Sequence, residues 1–252
     1  MITANQRVMR QPPPQLSRGD ALFIDFDGTL VEIAAAPDRI VVATGLPNLL
    51  QRVAANLDGA LAVISGRPLA ELEQYLNGYT GAAAGNHGLE RRGASGIIHR
   101  PRPDPALDSI WPAVHQFAAM THGATVEDKG LAIAIHYRGR PELADACRRV
   151  AEQAVQLSDN RLTMLTGKMV VELRPRTAGK GRAAQAFLAE PEFRGRRPVF
   201  VGDDQTDEEG FAAADRLGGF AIHVGDGDSI ARYRLDGVAA VIRWLEDGLA
   251  AA

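Results

Sequence analysis

The stretch Ala21-Leu22-Phe23-Ile24-Asp25-Phe26-Asp27-Gly28-Thr29-Leu30 decides the fold of this 252-residue chain. An uninterrupted apolar run that ends in two aspartates is typical of a buried parallel strand, and open α/β sheets bind ligands at the carboxyl ends of such strands. Residues two apart on a strand point the same way, so the carboxylates of Asp25 and Asp27 are predicted to enter one crevice. Two negative charges so close require a cation or a shared proton. The stretch therefore predicts both an α/β fold and the place of its chemistry.

Composition supports a globular protein and argues against several partners. A hydrophobic content of 46% over 252 residues is enough for one large domain or two small ones. The net charge of −3 and the absence of a long basic run argue against nucleic acid. No apolar run reaches the roughly 20 residues of a membrane span, and the proline-rich stretch 1–18 lacks the apolar core of a signal peptide. We therefore expect no membrane partner and a cytoplasmic location.

Strand and helix signals alternate along two separate parts of the chain. Apolar residues at helical spacing are interleaved with short buried strands, and this alternation predicts a parallel sheet covered by helices. In the first part, strands are predicted over 21–25, 60–64 and 81–85. In the second part, a helix is predicted over 177–188, followed by strands over 198–201 and 220–224 and a C-terminal helix.

The proline-rich segment 100–105 interrupts this rhythm and predicts a domain boundary. The pattern that follows is helix, two strands, helix and two strands. Turn signals at Lys129-Gly130 and Gly167-Lys168 predict two hairpins, and hence an antiparallel sheet with both helices on one face. We predict three parts, namely an N-terminal extension over 1–18, a discontinuous core over 19–103 and 177–252, and an inserted cap over 104–176.

Acidic side chains are expected at the same edge of the core sheet as the first two aspartates. Asp203, Asp204 and Asp207 follow the predicted strand at 198–201. Carboxylate oxygens are the ligands that Mg²⁺ prefers, and cysteine and histidine, which zinc prefers, are missing from the cluster. The predicted metal ligands are Asp25, Asp27, Asp203 and Asp207. Asp207 has the alternative interpretation of a helix N-cap, and a ligand role for Asp204 stays open.

Two further groups favour an anion at this edge. Ser65 and Gly66 follow a buried strand and offer a hydroxyl and backbone N–H groups. Lys180 lies in the first turn of a predicted helix, whose N-terminus favours negative charge. A lysine at such a position is usually a surface residue, but beside carboxylates that need counter-charge it indicates a phosphate clamp. A carboxyl group at Asp27 favours ester hydrolysis, because an alkoxide leaving group needs a proton.

Taken in order, Asp25-Phe-Asp27-Gly-Thr29, Ser65, Lys180 and Gly202-Asp203-Asp204-x-x-Asp207 resemble the four motifs of the haloacid dehalogenase (HAD) superfamily. The resemblance implies a HAD-like Rossmannoid core with a parallel sheet and, here, an inserted α+β cap of order αββαββ. It also implies Mg²⁺-dependent phosphoryl transfer through an aspartyl-phosphate. Asp25 would be the nucleophile, Asp27 the general acid and base, and Ser65 and Lys180 the other catalytic residues.

Further stretches resemble the trehalose-6-phosphate phosphatases, from about residue 16 to the C-terminal helix. They include Ile64-Ser-Gly-Arg67, Gly85-Asn-His-Gly-Leu-Glu90, His136-Tyr-Arg138 and Glu172-Leu-Arg-Pro175. The resemblance implies hydrolysis of trehalose 6-phosphate in trehalose biosynthesis, with functional coupling to a trehalose-6-phosphate synthase. It also implies that the sugar is held by residues of both core and cap, namely Arg67, His87, Glu90, Lys129, Arg138, Lys168 and Glu172.

Simpler roles for these residues stay open. His87 could only brace its turn, and Arg138 and Lys129 could be solvated hairpin ends. Lys168 and Glu172 are four apart on a predicted strand and share a face, so they could form an ion pair.

The function has two alternatives as well. One is a phosphatase for another sugar phosphate, such as sucrose phosphate or mannosyl-phosphoglycerate, because only the cap would distinguish these substrates. The other is a non-catalytic sensor of sugar phosphates. The intact set of Asp25, Asp27, Lys180 and Asp203 counts against a sensor, which needs neither a nucleophile nor an acid.

Overall fold

The computed structural model describes residues 12–34, 39–167 and 169–250. Most of the extension, residues 1–11, and Lys168 therefore lie outside the described residues. The described chain forms an eight-stranded sheet and a separate four-stranded sheet. In these residues, no helix is long and apolar enough to cross a membrane.

The elements alternate as the sequence predicts, with a block of different order in the middle. In chain order they are β1 (Asp20–Asp25), α1 (Leu46–Asn56), β2 (Leu61–Ile64), α2 (Leu69–Tyr75), β3 (Ala82–Gly85), β4 (Glu90–Arg92), β5 (Ile98–His99), α3 (Pro105–Met120), β6 (Thr125–Asp128), β7 (Ile133–His136), α4 (Ala144–Leu157), β8 (Leu162–Gly167), β9 (Val170–Pro175), α5 (Lys180–Leu188), β10 (Arg197–Gly202), α6 (Glu208–Arg216), β11 (Phe220–Val224), β12 (Tyr233–Leu235) and α7 (Val238–Ala250).

The large sheet has the order β12-β11-β10-β1-β2-β3-β4-β5. Its strands from β12 to β3 pair in parallel, whereas β4 and β5 are antiparallel additions at one edge. All of β1 is buried, since helices cover both faces of the sheet. Phe23 of β1 stacks against Phe187 and Phe193 on one face, with ring centroids 6.3 and 5.7 Å away. The parallel order brings the carboxyl ends of β1, β2, β3 and β10 to one edge.

The small sheet confirms the predicted αββαββ order. Its strands lie in the order β6-β7-β9-β8, and all neighbours are antiparallel. Helices α3 and α4 pack on one face, where Val171 and Leu173 of β9 join a second hydrophobic core. Successive residues of a strand point to opposite faces, so Glu172 and Arg174 belong to the other face, which turns toward the large sheet. We refer to this polar face as the open face of the cap.

Some predicted boundaries were wrong, and each for a local reason. The helix predicted from residue 177 begins at Lys180, because the Gly179 backbone is extended and its N–H donates to the carbonyl of His87. Strands β4, β5 and β12 were not predicted, because two or three residues are too few for a periodic signal. Pro112 lies inside α3, and the helix continues through it to Met120.

Candidate active site

The cap's open face and the carboxyl-end edge of the large sheet enclose one cavity of about 670 Å³. Most of the residues singled out from the sequence line it. These are Asp25, Asp27, Ser65, Arg67, His87, Lys129, Arg138, Glu172, Lys180, Asp203 and Asp204. Asp207 lies in the wall behind this lining and is fully buried. The sequence therefore identified most of the polar lining of a single site.

Lys180 forms the centre of the charged cluster. Its Nζ donates to Asp25 Oδ1 at 2.6 Å and to Asp207 Oδ1 at 2.7 Å, and all three side chains are buried. Burial alone would lower the pKa of the ammonium, but Asp207 and Asp25 raise it well above its ordinary value. Lys180 is therefore a cation at the strand ends, as the sequence predicted, and not a surface residue.

Asp25, Asp203 and Asp207 form a cluster of carboxylates that could hold a metal ion. One oxygen of each lies within 4.8 Å of the others. Burial raises the pKa of Asp25 to about 7 despite Lys180, and burial together with Asp207 raises the pKa of Asp203 to about 7. When ionised, these three carboxylates carry more negative charge than the single ammonium of Lys180 can offset. A hard divalent cation fits this set of oxygen ligands.

Gly28 allows this close approach of two strands. Its φ of +86° is in the left-handed region, and a Cβ at this position would lie 2.1 Å from Asp203 Oδ2. Any side chain at residue 28 would therefore displace the Asp203 carboxylate from the cluster.

The structure separates the roles of two neighbouring aspartates. Asp204 is the capping residue, since its Oδ1 accepts from the Thr206 backbone N–H at 2.8 Å. Asp207 completes a capping box, and its Oδ2 accepts from the N–H groups of Asp203 and Asp204 at 3.1 and 3.2 Å. Its other oxygen binds Lys180. The side chain of Asp207 thus binds backbone N–H groups as the third residue of the capping box and also belongs to the charged cluster, whereas the N-cap residue with a capping side chain is Asp204.

Asp27 makes a different contact from the one predicted. Its two carboxylate oxygens accept from Arg67 Nε and Nη2, both at 2.7 Å. The guanidinium also lies over the ring of Tyr75, 5.1 Å from its centroid. The carboxylate of Asp27 is thus bound to Arg67, outside the group of Asp25, Asp203 and Asp207. This geometry therefore does not support the prediction that the Asp27 carboxylate binds the metal.

Comparison with known proteins shows the family of this chain. A family model for trehalose-phosphatase matches residues 23–239. The chain is 44% identical over 234 residues to the trehalose-6-phosphate phosphatase of Escherichia coli, which covers 92% of this chain and 88% of that one. It is 39% identical over 205 residues to a probable trehalose-phosphate phosphatase of Sinorhizobium fredii, with 81% and 77% covered. The chain belongs to the trehalose-phosphatase family.

Solved structures agree in fold. The C-terminal domain of a trehalose-6-phosphate phosphatase from C. albicans superimposes with a TM-score of 0.80 at 20% identity, covering 93% of each chain. A haloacid dehalogenase-like hydrolase from Bacteroides thetaiotaomicron gives a TM-score of 0.67 at 15% identity, covering 90% of this chain and 98% of that one. The trehalose-phosphatase family member described here therefore has the HAD fold that the sequence predicted.

Three of the predicted sugar ligands contact one another across the cap and the core. Glu172 Oε1 lies 3.1 Å from His87 Nε2, and its Oε2 accepts from Lys129 Nζ at 2.7 Å. Burial lowers the pKa of His87. The pKa of the Glu172 carboxyl group lies below its ordinary value, because His87 and Lys129 outweigh the opposing effect of burial. The sequence suggested Lys168 as the ion-pair partner of Glu172, but Lys168 lies outside the described residues.

Glu90 and Arg138 have different surroundings. Glu90 does not line the cavity, because its carboxylate accepts from Asn86 Nδ2 at 2.9 Å and Arg100 Nη2 at 3.2 Å. It braces the turn that carries His87. Arg138 lines the cavity and donates to the carbonyl of Ala34 at 3.3 Å. A sugar contact for either residue stays a prediction.

Sequence reasoning missed several polar groups of the cavity, among them Glu127 and His136. Glu127 Oε2 lies 2.7 Å from His136 Nε2, and this contact is the main cause of the low pKa of the carboxyl group. Glu127 pairs with Ala134 in the sheet, and Ala134 pairs with Glu172, so all three lie on the open face. The β6–β7 hairpin relates Glu127 to Ala134, but β7 and β9 are separated in the chain by α4 and β8, so their pairing leaves no local signal in the sequence.

We predict that stabilisation by a divalent cation depends on pH. Protons compete for Asp25 and Asp203 below the raised pKa of about 7, whereas above it the ionised carboxylates are free to bind. Mg²⁺ should therefore raise the melting temperature of EDTA-treated protein more at about pH 8 than at about pH 5.5. Differential scanning fluorimetry measures this increment.

The control is Asp203→Asn, which keeps the shape of the side chain and removes one charge. It should lose most of the increment at the higher pH. An increment of equal size at both pH values, or one that survives in this variant, would contradict the proposed place of the cation.

Proposed function

We propose that this chain hydrolyses trehalose 6-phosphate to trehalose and inorganic phosphate. The observation that carries the proposal is that one cavity joins the Asp25–Lys180–Asp203 cluster to the polar open face of the cap. Its volume of about 670 Å³ is suited to a disaccharide phosphate. The 44% identical relative from Escherichia coli is a trehalose-6-phosphate phosphatase, which supports the same substrate.

Asp25 is the proposed nucleophile. Its carboxylate attacks phosphorus, the new bond joins an Asp25 oxygen to phosphorus, and the bond from phosphorus to the sugar oxygen breaks. Lys180, 2.6 Å away, favours the ionised carboxylate and offers positive charge to the phosphate. Ser65, buried at the end of β2, would donate its hydroxyl to a phosphate oxygen.

Asp27 is the proposed general acid and base. It gives a proton to the departing sugar oxygen, and in the second step it takes a proton from the water that attacks the aspartyl-phosphate. Arg67 occupies both carboxylate oxygens of Asp27, so this pair must open before Asp27 can reach the sugar oxygen. Once released, Arg67 could take up its predicted role as a substrate ligand.

Mg²⁺ is the proposed cofactor. Asp25, Asp203 and Asp207 would hold it, and when bound it would offset negative charge on the phosphate. The sugar would then contact the cap, where Glu127 and Arg138 line the cavity.

We propose as well that the cap comprises residues 104–176 and the core residues 19–103 and 177–252, joined by the proline-rich segment 100–105 and by the segment 174–176, which contains Pro175. An enzyme of this activity consumes the product of a trehalose-6-phosphate synthase, and we propose that it acts beside one in the cytoplasm.

Phosphate release from a panel of substrates tests the proposed function. Trehalose 6-phosphate should give the highest kcat/KM, ahead of sucrose phosphate, mannosyl-phosphoglycerate and glucose 6-phosphate. A higher kcat/KM for another sugar phosphate would show that this compound, and not trehalose 6-phosphate, is the preferred substrate. Release from none of them, with binding retained, would favour a sensor.

The roles of the two aspartates predict different responses to the leaving group. Asp25→Asn should abolish turnover of every substrate, because it removes the nucleophile. Asp27→Asn should abolish hydrolysis of trehalose 6-phosphate and retain more activity on p-nitrophenyl phosphate, whose leaving group needs no proton. Steady-state rates on both substrates measure this. Equal losses in Asp27→Asn would contradict the general-acid role.

Glu127 should determine specificity without affecting phosphate chemistry. Losing a hydrogen bond to a charged group costs roughly 1.5 to 3 kcal/mol, so Glu127→Gln should lower kcat/KM for trehalose 6-phosphate roughly ten- to a hundred-fold. Hydrolysis of p-nitrophenyl phosphate should be almost unchanged. Glu152→Gln, on the exposed side of α4, is the matched control. A similar loss on both substrates would exclude a sugar contact.

A further inference from the structure

Glu172 joins the cap to the core through two contacts with different partners. One oxygen lies 3.1 Å from Nε2 of His87, a core residue, and the other accepts from Lys129 of the cap at 2.7 Å. The exposed fractions of the three side chains are only 6% for Glu172, 7% for His87 and 14% for Lys129. We call these three residues the cap–core cluster.

Both partners of Glu172 also contact Gly66. The Nζ of Lys129 donates to the Gly66 carbonyl at 3.4 Å. The imidazole of His87 lies so close to Gly66 that a Cβ there would be 2.7 Å from both Cε1 and Nε2. Gly66 is thus held between two groups that a single cap carboxylate positions.

Gly66 belongs to the loop that is proposed to bind phosphate. Its carbonyl shares a peptide plane with the N–H of Arg67, and this N–H donates to Ser65 Oγ at 3.1 Å. A hydrogen bond to the Gly66 carbonyl therefore orients the group that fixes the Ser65 hydroxyl. The contacts run without a gap from Glu172 through Lys129 to Ser65.

The main chain of His87 reaches the other phosphate ligand. Its N–H donates to the Ser65 carbonyl at 2.9 Å, and its carbonyl accepts from the Gly179 N–H at 2.9 Å. Gly179 directly precedes Lys180. One residue thus contacts the cap, the Ser65 loop and the start of α5.

The backbone at this turn is strained. Asn86 and His87 have φ of +48° and +53°, in the left-handed region that residues other than glycine rarely adopt. Such strain persists where surrounding contacts fix it, and it is common at functional sites.

We propose that His87 and Lys129 are positioning residues that couple docking of the cap to the geometry of the Ser65–Gly66 loop. With the cap docked, Glu172 holds both groups against Gly66, and the loop and Lys180 are set to bind phosphate. The proposal rests on the proposed function, because it assigns phosphate binding to this loop. This proposed role differs from sugar binding, since loss of a sugar contact would leave the Ser65–Gly66 loop and its binding of phosphate unchanged.

A pair of variants at residue 87 tests this coupling. Asn tolerates the left-handed backbone and keeps the main-chain bonds, but its shorter side chain cannot reach Glu172. Gln reaches further and can place an amide donor near the position of Nε2. His87→Asn should therefore lower kcat/KM for p-nitrophenyl phosphate about ten-fold or more and weaken inhibition by inorganic phosphate to a similar extent. His87→Gln should restore much of both.

The same measurements contain the outcomes that would overturn the proposal. Unchanged p-nitrophenyl phosphate turnover and phosphate inhibition in His87→Asn would leave His87 as a sugar ligand only. If both variants lose p-nitrophenyl phosphate turnover and phosphate inhibition equally, and their melting temperatures fall as well, then His87 has only a structural role. His122→Asn, at an exposed cap residue outside the cavity lining, is the matched control and should match the unaltered chain.

Two further variants cover the case in which residue 87 does not tolerate change. Lys129→Met leaves the strained turn intact and should also weaken phosphate inhibition. In the Glu172→Gln background, its additional effect should be smaller than in the unaltered chain, since both changes weaken the contact between Glu172 and Lys129. Fully additive effects would contradict the coupling.

The test is independent of the sugar. If p-nitrophenyl phosphate is hydrolysed and trehalose 6-phosphate is not, the proposed function fails while the coupling can still be measured. If trehalose 6-phosphate is the substrate and the variants affect it alone, the coupling fails and the function stands.

Discussion

The structure depends on one buried contact, in which Lys180 lies between Asp25 and Asp207. Removing Lys180 would leave two buried carboxylates without a positive partner, and breaking a buried ion pair in this way costs several kcal/mol. The contact therefore holds together β1, the start of α5 and the turn after β10, three segments far apart in the sequence. Asp203 adds a further carboxylate, so the cluster could hold a divalent cation, which in the proposed reaction would offset the charge of the phosphate. Stability and reactivity thus have the same origin.

Much of this arrangement could be predicted from local patterns. Asp25 and Asp203 each follow a buried strand, and parallel strands bring their carboxyl ends to one edge, so the cluster follows from the alternation alone. The cap order could be predicted for a similar reason, since its two hairpins carry turn signals at Gly130 and Gly167.

The rest required the tertiary structure. Glu127 and Glu172 belong to one surface because β6, β7 and β9 pair in a particular register, and no local pattern specifies a register between distant strands. The bidentate pair of Asp27 and Arg67 joins residues 40 apart in sequence. The contact of His87 with Glu172 depends on how the cap docks on the core, and the docking angle leaves no signal in periodicity or composition.

The most direct test of the account is to trap the bond between Asp25 and phosphate. With enzyme in excess of trehalose 6-phosphate, the reaction is quenched early and reduced with borohydride, which converts an aspartyl-phosphate to homoserine. The account predicts homoserine at residue 25, found by mass spectrometry of the peptide, and none when substrate is omitted. Full phosphate release with unmodified Asp25, or with homoserine at another aspartate, would contradict it.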